Sequence, residues 1–260
     1  LLPGFTCNSA DWPRPFLRDL VAQGFQVEAL DWPDSGRSAR LSVGSYGIAD
    51  LAREAKSYAQ ANLAGVEVHW LGLSMGSMVA QELARLGAPA ASYSLLFTSA
   101  GSWGHGLGRL STLVRLLGVR VETTPEEATY ALTVLREELA GRPAERDLAE
   151  LRRRVQASVT RAWPYARGPW RQLAAVSDYF AGGGTRLSSL GAPTLILHGT
   201  LDPLLPVAGA RALSQRLADS AYVELAEVGH ELLLSRMQAL MAPLLRHLKT
   251  ASSFPLVAGA

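Results

Sequence analysis

Apolar residues recur along this chain with two interleaved periods, and the interleaving predicts an architecture. Pro13 to Gln23 reads as a helix stopped by Gly24, and Phe25 to Leu30 as a strand. Ile48, Leu51, Ala52, Ala55 and Ala59 return to helical spacing. A short apolar strand, Val66 to Leu71, then runs into Gly72, and Met75, Met78, Val79, Leu83 and Leu86 follow at helical spacing before a strand at Ser92 to Phe97. The rhythm resumes after Pro193 with a strand at Thr194 to Leu197, a helix near Val207 to Leu217, a strand at Tyr222 to Leu225 and a helix near Arg236 to His247. Strands that alternate with helices in this way predict an α/β fold with a mostly parallel sheet flanked by helices.

Between the two alternating blocks, residues 101–189 carry no strand signal and many arginines, with Gly182 to Gly184 as a break. This segment reads as an inserted helical cap over a core built from 1–100 and 190–250, with 251–260 as a tail that frays from Thr250 onward. The insertion is rich in aromatic residues, Tyr130 and Phe180 included, which either line a pocket under the cap or glue it to the core. Trp103, Trp163, Tyr165, Trp170 and Tyr179 are the candidate substrate contacts.

Composition narrows the function classes. With 260 residues, 48% hydrophobic and 18% charged, the chain has the makings of a well-filled core and is not a disordered segment. Lys+Arg 25 against Asp+Glu 23 leaves no basic excess of the kind nucleic acid requires, so no nucleic-acid partner is expected. The single cysteine, Cys7, allows no internal disulfide and suits a reducing compartment, where it reads as buried filler. Neither a membrane-length apolar run nor a signal-peptide pattern is present, and the expectation is a cytoplasmic protein with no membrane partner, with a lost leader as the open alternative because the chain opens at Leu1 as though cut inside a strand.

The chemistry concentrates at Gly72-Leu73-Ser74-Met75-Gly76, a G-x-S-x-G pattern between a strand and a helix. A turn that sharp lifts the Ser74 hydroxyl above the sheet while Gly72 and Gly76 make room for backbone, and Met75 offers its N–H to an oxyanion. A serine hydroxyl is a poor nucleophile alone and needs a base, which in turn needs an orienting carboxylate. Asp202 follows the strand at Thr194 to Leu197, and His230 follows the next one. Both positions lie past a strand's carboxyl end, where sites assemble in open α/β sheets. Ser74, Asp202 and His230 are therefore the candidate nucleophile, acid and base.

The elbow, the acid loop and the histidine loop together resemble the α/β-hydrolases over nearly the whole chain. Asp11-Trp12-Pro13, Asp31 to Ser38, His69 to Ser77 and Phe97 to Gly101 are similar to the aclacinomycin methylesterase group, whose members hydrolyse a methyl ester on a polyketide. The resemblance implies a serine hydrolase that cleaves a carboxylic ester through an acyl-enzyme, with no cofactor and a small apolar or aromatic ester as substrate. It also nominates the backbone N–H of Phe5 as the second oxyanion donor, in Pro3-Gly4-Phe5, where Pro3 stands in place of the family's loop-bracing histidine. The family pattern places two strands before this loop, so N-terminal strands are expected to be missing. Thioesters, lactones and perhydrolysis share the same intermediate, and a non-hydrolytic binding protein on this fold is the rival from another class. Oligomeric state is not legible.

Other polar residues read as bystanders. His69 and His247 are structural or surface groups, His198 at most touches the acid loop, and His105 is solvent-exposed. The five histidines show no His-x-x-x-His spacing, and no metal is expected. Glu231, next to His230, would compete with Asp202 only if it pointed inward, which adjacency argues against. Arg152, Arg153 and Arg154 read as a solvated helix face.

Overall fold

A computed structural model describes residues 1–41, 44–102, 104, 108, 112, 124–163, 168–184 and 186–252. Four parallel strands, β1 (His69–Leu73), β2 (Ser92–Leu96), β3 (Thr194–Gly199) and β4 (Ser220–Leu225), lie side by side in chain order. Their register pairs Gly72 with Leu95, Leu96 with Leu197, and Gly199 with Leu225. Leu2 bridges the free side of β1 opposite Gly72, donating to the Leu71 carbonyl at 2.8 Å and accepting from Leu73 at 3.0 Å.

Helices cover both faces. On one lie α2 (Ile48–Asn62), α3 (Met75–Arg85) and, further along, α7 (Val207–Arg216); on the other lie α1 (Arg14–Ala22) and α8 (Met237–Ala251). Strand alternation sorts the core between them: Leu95 and Ile196 join Leu51, Met78, Leu83 and Leu213, while Leu96, Leu195 and Leu197 join Phe16, Leu20, Leu240 and Leu244. Burying each such leucine-sized side chain stabilises the fold by about 1.5–3 kcal/mol. No helix among the described residues is long and apolar enough to cross a membrane.

The 101–189 segment contributes α4 (Pro125–Leu139), α5 (Glu145–Ala162) and α6 (Gly168–Ala181). Thr124 caps α4 by accepting from the Glu127 N–H at 3.2 Å, while Glu127 accepts from the Thr124 N–H at 3.1 Å. Helices α4 and α5 share their own apolar cluster, Ala128, Leu132, Leu151, Val155, Val159 and Ala162. Helix α6 instead sends Ala175, Tyr179 and Phe180 into the main core.

One expected element is missing. Residues 25–30 form no strand; the Leu30 N–H donates to the Leu1 carbonyl at 3.1 Å, but no ladder follows. Phe25, Val27 and Ala29 do pack on the core, so the alternating pattern reports burial without pairing. At the other end α8 runs through the expected frayed point to Ala251, and residues 253–260 lie outside the described residues.

Candidate active site

β1 ends at Leu73, α3 begins at Met75, and Ser74 between them adopts φ 55° and ψ −115°. That backbone region is costly for any residue with a Cβ, by about 1–3 kcal/mol, and persists only where the surroundings impose it. The surroundings do so here. The Ser74 N–H donates to the Leu96 carbonyl at 2.9 Å, and its own carbonyl accepts from Ser77 at 2.9 Å. A Cβ on Gly72 would overlap the Gly76 carbonyl, and one on Gly76 would overlap the Leu2 carbonyl, so both glycines are required by close backbone approach.

The three expected side chains meet. His230 Nε2 stands 2.8 Å from Ser74 Oγ, and His230 Nδ1 stands 2.6 Å from Asp202 Oδ2. A carboxylate only accepts, so Nδ1 carries the proton and Nε2 is left as an acceptor for the serine O–H. Asp202 Oδ1 accepts from the backbone N–H groups of Leu204 at 2.9 Å and Leu205 at 2.8 Å. Burial pushes the Asp202 carboxyl up, but the charge and hydrogen bonds of His230 and the Leu205 N–H outweigh it and hold the group below the ordinary carboxylate range. All three residues are buried.

Two neighbours complete the shell. His198 Nε2 lies 2.9 Å from the Leu205 carbonyl and 3.4 Å from Asp202 Oδ2, so it does touch the acid loop, and burial lowers its pKa. Phe97, with φ 50°, packs its ring 5.7 Å from that of His230 and 6.3 Å from that of His198. The strained turn after β2 that carries Phe97 was visible in the sequence only as part of a family-like phrase.

The Pro3–Cys7 loop runs past the serine. A Cβ on Gly4 would stand 3.4 Å from Ser74 Cβ, and Cys7 closes the turn by donating to the Gly4 carbonyl at 3.2 Å. With proline at position 3, bracing comes from elsewhere: Trp32 Nε1 donates to the Pro3 carbonyl at 2.9 Å, Ser35 Oγ to the Cys7 carbonyl at 3.0 Å, and the Thr6 N–H to Gln172 Oε1 at 2.8 Å. The Phe5 N–H belongs to this loop, and the Met75 N–H to the first turn of α3, where helix donors lack intrahelical partners.

The aromatic residues of the 101–189 segment are scattered. Tyr179 is buried in the main core beside Phe180, and Trp163 packs on the α4–α5 cluster. Trp170 is 45% exposed on α6, and Trp103, Tyr165 and His105 lie outside the described residues. Among the described residues no group of His, Cys, Asp and Glu is arranged to hold a metal ion.

Two expectations are corrected. Arg154 is 6% exposed, not solvated; its helical spacing from Leu151, Val155 and Ser158 places it on the buried stripe of α5. Glu231 does point inward, at 5% exposure, but Arg136 holds it at 2.6 Å. Sequence reasoning missed Arg136, although it shares a helix face with Leu132 and Leu139.

The sequence and the fold both recur among known proteins. A family model described as the alpha/beta hydrolase fold matches residues 1–236. Rhodomycin D methylesterase DnrP of Streptomyces peucetius is 27% identical over 97% of this chain and 91% of its own. DauP of Streptomyces sp. (strain C5), also a rhodomycin D methylesterase, is 25% identical over the same shares. The fold is shared with the esterase RhEst1 from Rhodococcus sp. ECU1013, at TM-score 0.77 and 22% identity over 96% of this chain and 90% of that one.

Proposed function

The chain belongs to the α/β-hydrolase fold family, and from that premise we propose that it is a carboxylic ester hydrolase with Ser74 as nucleophile, His230 as base and Asp202 as orienting acid. The observation that carries this reading is the imidazole of His230, hydrogen-bonded at once to Ser74 Oγ and Asp202 Oδ2. His230 Nε2 takes the hydroxyl proton as Ser74 Oγ bonds to the ester carbonyl carbon, and the oxyanion forms between the N–H groups of Met75 and Phe5. The tetrahedral intermediate collapses with cleavage of the ester C–O bond, and the alcohol leaves with the proton from His230. Water, deprotonated by the same nitrogen, then releases the acid from the acyl-enzyme and restores the serine.

The names of the two Streptomyces relatives support a methyl ester, which makes methanol the first product. An apolar or aromatic acyl group of moderate size is the substrate this reading favours, with Trp170 and Tyr130 of the 101–189 segment among the described aromatic side chains that stay exposed. No step calls on a metal or organic cofactor.

The test is a panel of nitrophenyl and methyl esters together with a fluorophosphonate probe. Turnover with stoichiometric labelling at Ser74 is the expected result. A folded protein that neither labels nor hydrolyses any ester would favour a ligand-binding role without turnover.

A further inference from the structure

Beside the triad, the residue next to His230 enters a buried lattice of charge. Glu231 accepts from Arg136 through both oxygens, from Nε at 2.6 Å and from Nη2 at 2.8 Å. Arg136 Nη1 donates to Asp11 Oδ1. Asp11 Oδ2 in turn accepts from the Asn8 N–H at 2.8 Å and the Ser158 hydroxyl at 2.5 Å. Arg154 donates to Glu150 at 2.8 Å, to the Asp11 carbonyl at 2.9 Å and to the Leu232 carbonyl at 3.0 Å. Three separate pieces of chain are thereby joined: the turn after the Pro3–Cys7 loop, helices α4 and α5, and the loop that bears His230.

We propose that Arg136 and Glu231 are positioning residues for His230: their two-pronged ion pair pins the loop that carries the imidazole and neutralises a carboxylate one residue away from it. The proposal deepens, and rests on, the reading of His230 as the base. Anchoring alone does not call for charge, because replacing a buried ion pair with well-packed apolar side chains is often neutral or stabilising. A buried anion adjacent to the base is different. Left unpaired, Glu231 would favour the imidazolium and offer His230 a second carboxylate, and Asp202 would lose its exclusive hold on the ring. With the guanidinium clamped across both oxygens, that competition is removed.

Charged and titratable groups reach His230 directly and through Glu231. Asp202 and His198 from the β3 end and Glu231 from its own loop act on the imidazole itself; around Glu231 stand Arg136 from α4 and Arg154 from α5, with Asp11 and the Cys7 thiol of the N-terminal turn beside Arg136 and Glu150 paired with Arg154. Burial keeps His198 and Cys7 in their neutral forms. The lattice outside the triad therefore sets two cations, Arg136 and Arg154, against three anions, Asp11, Glu150 and Glu231.

The experiment follows His230 itself, by NMR titration of histidine-labelled protein with the resonance assigned through its loss in His230→Gln. Glu231→Gln is isosteric and leaves a guanidinium that does not shed its proton, so His230 should titrate about one pH unit lower. Arg136→Met should move it upward by a similar amount, Arg136→Lys should keep it near the wild-type value, and the Arg136→Met/Glu231→Gln pair should return it there. The acid limb of kcat/KM should move in the same directions. If His230 in folded Glu231→Gln titrates where it does in the wild type, the proposal is overturned; a shift in Arg136→Lys as large as that in Arg136→Met would overturn it too. The titration needs no substrate, so failure of the inference is separable from a failure to hydrolyse esters.

Discussion

The backbone N–H of His230 donates to the carbonyl oxygen of Leu139 across 2.6 Å, and that of Gly229 donates to Ala140 at 3.1 Å. The last carbonyls of α4, which a helix end leaves without internal donors, are thus taken up by the loop that presents the imidazole. A Cβ on Gly229 would overlap the Leu139 carbonyl. Gly229→Ala should lower ester turnover by about 100-fold or more through misplacement of His230, with the circular dichroism spectrum retained. Unchanged turnover would show that the loop is located by other contacts.

Ser74→Ala should remove about 10⁴-fold or more of the activity, and all fluorophosphonate labelling, while the protein stays folded. Ser74→Gly should be equally inactive but melt a few degrees higher than Ser74→Ala, because glycine adopts the φ of 55° at this turn without strain. Equal melting temperatures would mean that the turn stores no strain.

Asp202 has a folded pKa below its ordinary 3.8, so it contributes stability that is fully present above that pH and is lost as pH falls through the depressed value. Asp202→Asn should accordingly flatten the acid side of the stability profile measured by denaturant titration. It should also cost on the order of 10⁴-fold in turnover, since an amide in place of the acceptor no longer selects the Nδ1–H tautomer. A variant with the wild-type acid slope would refute this account of the carboxylate.

Burial, reinforced by the charge of Asp11, pushes the Cys7 thiol pKa far up, and the sulfur is inaccessible inside the fold. The native protein should resist a thiol-directed disulfide reagent and release one equivalent of signal only on unfolding. Rapid reaction of the folded protein would contradict this.

The legible parts of the sequence were those governed by local rules. Helical spacing from Met75 to Leu83, the apolar strands before Gly72 and His198, and the positions of Ser74, Asp202 and His230 after strand ends all depend on a few consecutive residues. What escaped depended on partners remote in sequence. The alternation at Phe25, Val27 and Ala29 reports burial but not whether a neighbouring strand exists to pair with. Arg136 occupies a buried helix face because Asp11 and Glu231 arrive to neutralise it, and Arg154 because the Asp11 and Leu232 carbonyls join its helix partner Glu150 in holding it; a run of arginines read alone looks solvated. The Pro3–Cys7 loop likewise finds its brace in Trp32, a residue no motif at Pro3 would suggest.

The contact between His230 and Ser74 spans 156 positions of the chain, and that between His230 and Asp202 spans 28. Closing so long a loop costs chain entropy before any reward is collected, and α-helical segments assemble far faster than such distant pairs. During renaturation from denaturant, far-ultraviolet signal should therefore recover ahead of reactivity toward a fluorophosphonate. On this expectation, competence is the final event of assembly.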